Sequence, residues 1–135
     1  MLSLATRYFS ALIVLVIGDI IWLGYFARAV FRPTLQPILR EEVDWRAVVL
    51  FYLVYAFGIA VFAISPALAQ RSLRTAILYG FLFGFLAYMT YDVTNFATLK
   101  AWTFKLAVMD TGWGTFISGV AAAAAYGATR LIADR

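Results

Sequence analysis

The hydrophobic positions of the chain fall into four long blocks, roughly residues 8–27, 47–69, 75–99 and 106–132, separated by shorter polar stretches. A helix that crosses about 30 Å of hydrocarbon needs about 20 largely apolar residues, and each block meets that length. Backbone polar groups in lipid must be satisfied within the protein, so four such blocks predict four spanning helices. The expected fold is therefore all-α: a single domain over residues 1–135, a compact four-transmembrane-helix bundle. An even number of spans places both termini on the same side.

The first block also admits a signal-peptide reading, with Arg7 as its basic start and Ala27-Arg28-Ala29 as a faint cleavage site. Asp19 within the apolar run speaks against it. Between the first two blocks, residues 33–45 place Leu35, Ile38, Leu39 and Val43 near one helical face. They read either as a short interfacial helix anchored by Trp45 or as an ordinary polar loop. Near the end of the second block, Pro66 is expected to kink or end its helix.

Small residues recur in the last two blocks. The third carries Gly80-x-x-x-Gly84, and the fourth carries Thr115, Gly119, Ala123 and Gly127 at every fourth position. In lipid, helices associate through close packing of such residues. The stripes predict an interface between the third and fourth helices, or with a second copy or a larger membrane complex through Gly80, Gly84, Gly119, Ala123 and Gly127.

Composition strengthens the membrane reading. The 135 residues are 64% hydrophobic, 18% aromatic and 13% charged, with a mean hydropathy of +0.87. Soluble domains run about 45–50% apolar and about 25% charged. Cysteine and histidine are absent, which removes disulfides, thiol nucleophiles and imidazole-ligated metals. The formal charge of +4 is divided between the two membrane faces. Arg7, Arg71, Arg74, Arg130 and Arg135 lie with the termini, and Arg28, Arg32, Arg40, Arg46, Lys100 and Lys105 lie opposite. The positive-inside count nearly ties; Glu41, Glu42 and Asp44 in the long loop give a slight lean toward termini inside, and no basic stripe offers a nucleic-acid surface.

Three of the seven acidic residues, Asp19, Asp92 and Asp110, sit inside apolar blocks. A mid-membrane carboxylate costs about 2.5–3.5 kcal/mol on insertion scales, so each needs a reason. At about 1.5 Å of rise per residue they fall roughly 12, 10 and 6 Å below the face opposite the termini. All three share one half of the bilayer. On the third helix Tyr88, Asp92 and Asn95 share a face, with Tyr91 beside them. Trp22 follows Asp19 by three positions, Trp113 follows Asp110 by three, and Tyr52 and Tyr55 lie at matching depth on the second helix.

Such a cluster holds a bundle together if the carboxyls bond to neighbouring helices. It also suits a pocket for a lipid or other amphipathic molecule, with Trp22, Tyr52, Tyr55, Tyr88, Tyr91, Asn95 and Trp113 as ligand-binding wall and Asp19, Asp92 and Asp110 as candidate catalytic groups. No metal-ligand spacing and no cofactor motif accompanies them.

The run Ala87-Tyr88-Met89-Thr90-Tyr91-Asp92-Val93-Thr94-Asn95-Phe96-Ala97-Thr98-Leu99-Lys100, followed by Trp102, resembles a small bacterial family of predicted membrane proteins catalogued as domain of unknown function 2177. Asp110-Thr111-Gly112-Trp113-Gly114, Asp19 with Trp22-Leu23-Gly24, and Ser65-Pro66-Ala67-Leu68 resemble it too. The resemblance spans essentially the whole chain. It implies a four-span, multi-pass domain of the bacterial inner membrane and carries no established activity. It also implies an association with enzymes that modify unsaturated or cyclopropane fatty acids, which points the substrate toward lipid. Three functions remain open on this sequence: a lipid- or acyl-handling protein, an accessory subunit of a larger membrane complex, and a small proton-coupled transporter. Polar residues that stop halfway across count against the last.

Overall fold

A computed structural model describes residues 2–133. Helix α1 (Leu2–Ile21) passes through a π-helical turn at Trp22–Phe26 into α2 (Ala27–Leu35), and a 3-10 turn at Gln36–Ile38 ends the run. Helix α3 (Trp45–Ile59) passes through a second π turn at Ala60–Ile64 into α4 (Ser65–Gln70). Helices α5 (Leu73–Thr98) and α6 (Phe104–Ala133) are uninterrupted. Four helical stretches are thus long and apolar enough to cross a membrane: Ser3–Ile38, Trp45–Gln70, Leu73–Thr98 and Phe104–Ala133. The protein is a multi-pass membrane protein whose regular secondary structure, among the described residues, is all helical.

Helix starts follow from local chemistry. Ser72 Oγ accepts from the Thr75 N–H at 3.1 Å and Thr103 Oγ1 from the Leu106 N–H at 3.1 Å, each satisfying an orphan donor of the first turn. Asp44 accepts from the Arg46 N–H at 3.1 Å and pairs with its guanidinium at 3.3 Å, which holds the Asp44 carboxyl below the usual carboxylate range. Arg71, at φ 51°, ends α4 in the left-handed conformation.

Two expectations about the helix ends change. The first helix does not stop near Ala27, because arginines lower hydropathy without lowering helix propensity. It continues to Leu35, which is buried with Trp102, Leu106 and Ala107 against Val30 and Phe31. This cluster fastens the extension over the start of α6. No separate interfacial helix forms across 33–45: residues 33–35 finish α2, and 39–44 are irregular before the exposed Trp45. Pro66 does not end its span, which runs on to Gln70. A proline ring cannot donate to the preceding turn and crowds the carbonyl four residues back. The π turn just upstream widens the helix there, and Ser65 Oγ donates to the Ala60 carbonyl at 2.8 Å.

The most extensive pairing is α5 against α6; α6 also packs along α1, and the second span bridges α1 and α5. The buried residues of α5 are Ala76, Gly80, Gly84 and Asp92, a stripe of four-residue spacing turned toward α6. A Cβ on Gly80 would come within 2.7 Å of Ala122 Cβ and 2.8 Å of the Ser118 carbonyl, and one on Gly84 would collide with the Gly114 carbonyl. Gly114 and Gly119 make room instead for the rings of Tyr88 and Phe81. These glycines are engaged within the chain, between its third and fourth spans. Gly127 meets nothing within 4 Å and Ala123 is half-buried. Outward, Ile13, Ile17, Val54, Phe57 and Phe62 present the apolar surface that lipid covers.

Candidate functional site

Between the spans, in the half nearest the 36–44 and 99–103 connections, lies a cavity of about 710 Å³. The first helix contributes Asp19, Trp22 and Leu23, and the second contributes Tyr52, Tyr55 and the aliphatic edge at Ala47 and Val48 with Phe51. Tyr88 and Tyr91 come from α5, and Asp110 and Trp113 from α6. Among the described residues no lysine or arginine lines it.

The sequence places Asp19 one turn from Trp22, and the π turn that begins at Trp22 enlarges the helix where the wall is built. Asp19 is 7% exposed. Trp113 Nε1 donates to its Oδ1 at 2.7 Å, and the Tyr52 hydroxyl donates to its Oδ2. The Trp22 and Trp113 rings stack at 4.9 Å between centroids and 3° between planes, and Trp22 stacks in turn on Phe26 at 5.7 Å. Trp22 Nε1 is buried and has no hydrogen-bond partner. Opposite, the Tyr55 hydroxyl pairs with Ser118 Oγ at 2.7 Å, and its ring meets Tyr88 edge-on at 5.9 Å.

Asp92 and Asn95 do not line the cavity. Asp92 lies on the α5 stripe that packs against α6 and is fully buried. Its Oδ2 accepts from Thr111 Oγ1 at 3.1 Å. Its Oδ1 has no aligned donor; the Asp110 carboxyl and the Trp102 indole face it. Asp110, 9% exposed, stands between Asp92 and the cavity. Asn95, one turn further along α5, is half-buried beside Tyr91. The three aspartates therefore form a carboxyl pair, Asp92 with Asp110, and a separate Asp19 with its own donors.

The pattern of the chain matches the family described as a predicted membrane protein, domain of unknown function 2177, over residues 4–127. The chain belongs to that family. No curated protein and no solved structure matches it. For a member of this family the geometry assigns partners that its description lacks: Tyr52 and Trp113 to Asp19, and Thr111 to Asp92.

Thr111, Trp102 and Ser118 are polar partners that sequence reasoning did not assign to the site. Thr111 adjoins Asp110, but which of two neighbouring side chains faces α5 depends on the rotation of α6. Trp102 sits in a connection and reaches Asp92 only because that connection folds under the Leu35 cluster. Among the described residues no group of three or more aspartates and glutamates is arranged to hold a metal ion.

Proposed function

We propose that this protein sits in the inner membrane of a bacterium and binds or modifies a lipid, acyl compound or other amphipathic small molecule in the cavity between its spans. Asp19 and Asp110 are the polar contacts of that ligand, and Trp22, Tyr52, Tyr55, Tyr88, Tyr91 and Trp113 form its amphipathic wall. The observation that carries the reading is the cavity itself. Its volume of about 710 Å³ lies within the roughly 300–1,000 Å³ of small-molecule sites, and like them it is mainly apolar with a few convergent polar groups. A carboxyl kept only to tie helices together needs no open volume beside it. Asp92 answers to that structural description, whereas Asp19 and Asp110 face space.

Native mass spectrometry of the protein extracted gently from its own membranes tests the reading. A defined lipid or small molecule is expected on the wild type and absent from Asp110→Asn. A stoichiometric protein partner with an empty cavity would replace this reading with that of an accessory subunit.

A further inference from the structure

A second depression, an apolar groove of about 630 Å³, runs along the second span beside α5. It begins at Ala47 and extends to Phe62, with Phe83 and Ala87 on the facing helix. Its Leu50, Val54, Phe57 and Phe62 are exposed, so the groove opens on the surface that lipid covers. The groove and the cavity share Ala47, Phe51, Tyr55 and Ala87. The groove thus runs beside the chamber along the second span, an apolar trough of roughly 22 Å at about 1.5 Å per residue from Ala47 to Phe62.

The chamber has a definite electrical character. Two carboxyl groups, Asp19 and Asp110, belong to its wall, and Asp19 accepts from Trp113 and Tyr52. No lysine or arginine among the described residues lines the wall beside them. The rest of that wall is aromatic, and ring faces attract cations, most strongly where water is excluded. An anionic head group would meet two carboxyl groups and no lysine or arginine among the described residues.

We infer that the chamber receives an ammonium head group and the groove receives its hydrocarbon chain. The ligand class is thus a long-chain amine or an aminolipid drawn laterally from the bilayer. The ammonium sits between Asp19 and Asp110 against the Tyr88 ring, and the chain follows Phe51 and Ala87 outward along the second span. This assignment rests on the amphiphile reading above and narrows it.

The test uses three probes of one chain length that differ only in the head: a sixteen-carbon amine, alcohol and carboxylic acid. Each competes at equal concentration for the delipidated protein in maltoside micelles, read by native mass spectrometry. The amine is expected to exceed the other two by about tenfold, the scale of one charge-assisted hydrogen bond. Asp110→Asn and Tyr88→Leu are expected to flatten that preference, and Ala87→Phe to reduce amine retention by narrowing the junction of chamber and groove. Equal retention of all three probes, or preference for the acid, overturns the ammonium assignment while leaving amphiphile binding standing. Retention of none of them removes both readings. The wild-type competition decides the matter even where a variant fails to fold.

Discussion

Trp113 donates to Asp19 at 2.7 Å across 94 positions of sequence. This bond joins the first span to the fourth, and the hydroxyl of Tyr52 adds the second span to the same carboxylate. One side chain thus ties three helices at the edge of the cavity. Asp19→Ala leaves two donors without an acceptor, each costing about 1–3 kcal/mol when buried. Asp19→Asn keeps an acceptor for at least one. Thermal unfolding in detergent should therefore rank wild type above Asp19→Asn and Asp19→Asn above Asp19→Ala. An alanine variant as stable as wild type would show that the three helices hold together without this carboxylate.

Trp22 gives the opposite expectation. Its indole N–H is buried and unpaired, while its ring stacks on Trp113. Trp22→Phe removes an unsatisfied donor and keeps an aromatic face, so the delipidated protein should lose little stability, or gain up to about 1 kcal/mol. Retention of the sixteen-carbon amine should change little in the same variant, because an ammonium has no acceptor to offer that N–H. Stability and retention measured side by side check both expectations.

The glycines divide by what stands against them. Gly84→Ala drives a methyl group into the Gly114 carbonyl and Ser118, so the backbones of α5 and α6 must separate. A loss of about 1–3 kcal/mol is expected from overpacking of this kind. Gly112→Ala and Gly127→Ala place their methyl groups in open space and should be neutral or gain up to about 1 kcal/mol of helix propensity. Unfolding midpoints of the three variants, measured in one detergent, check the contrast.

Arg71 holds the left-handed conformation at φ 51° after α4. A side chain there costs roughly 1–2 kcal/mol that glycine avoids. Arg71→Gly should raise the unfolding midpoint, against the usual destabilising effect of glycine. A lower midpoint would show that contacts of the arginine side chain outweigh the strain.

Much of the fold was legible because lipid is a strict solvent. Block length and hydropathy marked all four spans, and the end of the second at Gln70 and the start of the third at Leu73 lie within about two residues of expectation. The extension of the first helix to Leu35 was not legible. Its cause is burial against Trp102 and Leu106, some seventy residues away, and no local pattern reports it. The gathering of the aspartates toward one end of the helices was legible from helical rise, whereas their division into a pair and a single was not.

The sequence by itself determined a membrane protein of four long apolar helices with three aspartates set inside them, because length and hydropathy are local quantities. It also marked the α5–α6 interface, since only small residues let helix backbones approach so closely. The tertiary structure alone decided which carboxylates face the cavity. That choice depends on the rotation of each helix about its axis. Contacts between distant residues set this rotation: Gly84 on Gly114, Tyr88 over Gly114, Trp22 on Trp113. A rotation of one residue, about 100°, would exchange Asp92 for Tyr91 at the packing seam and leave the hydropathy pattern unchanged.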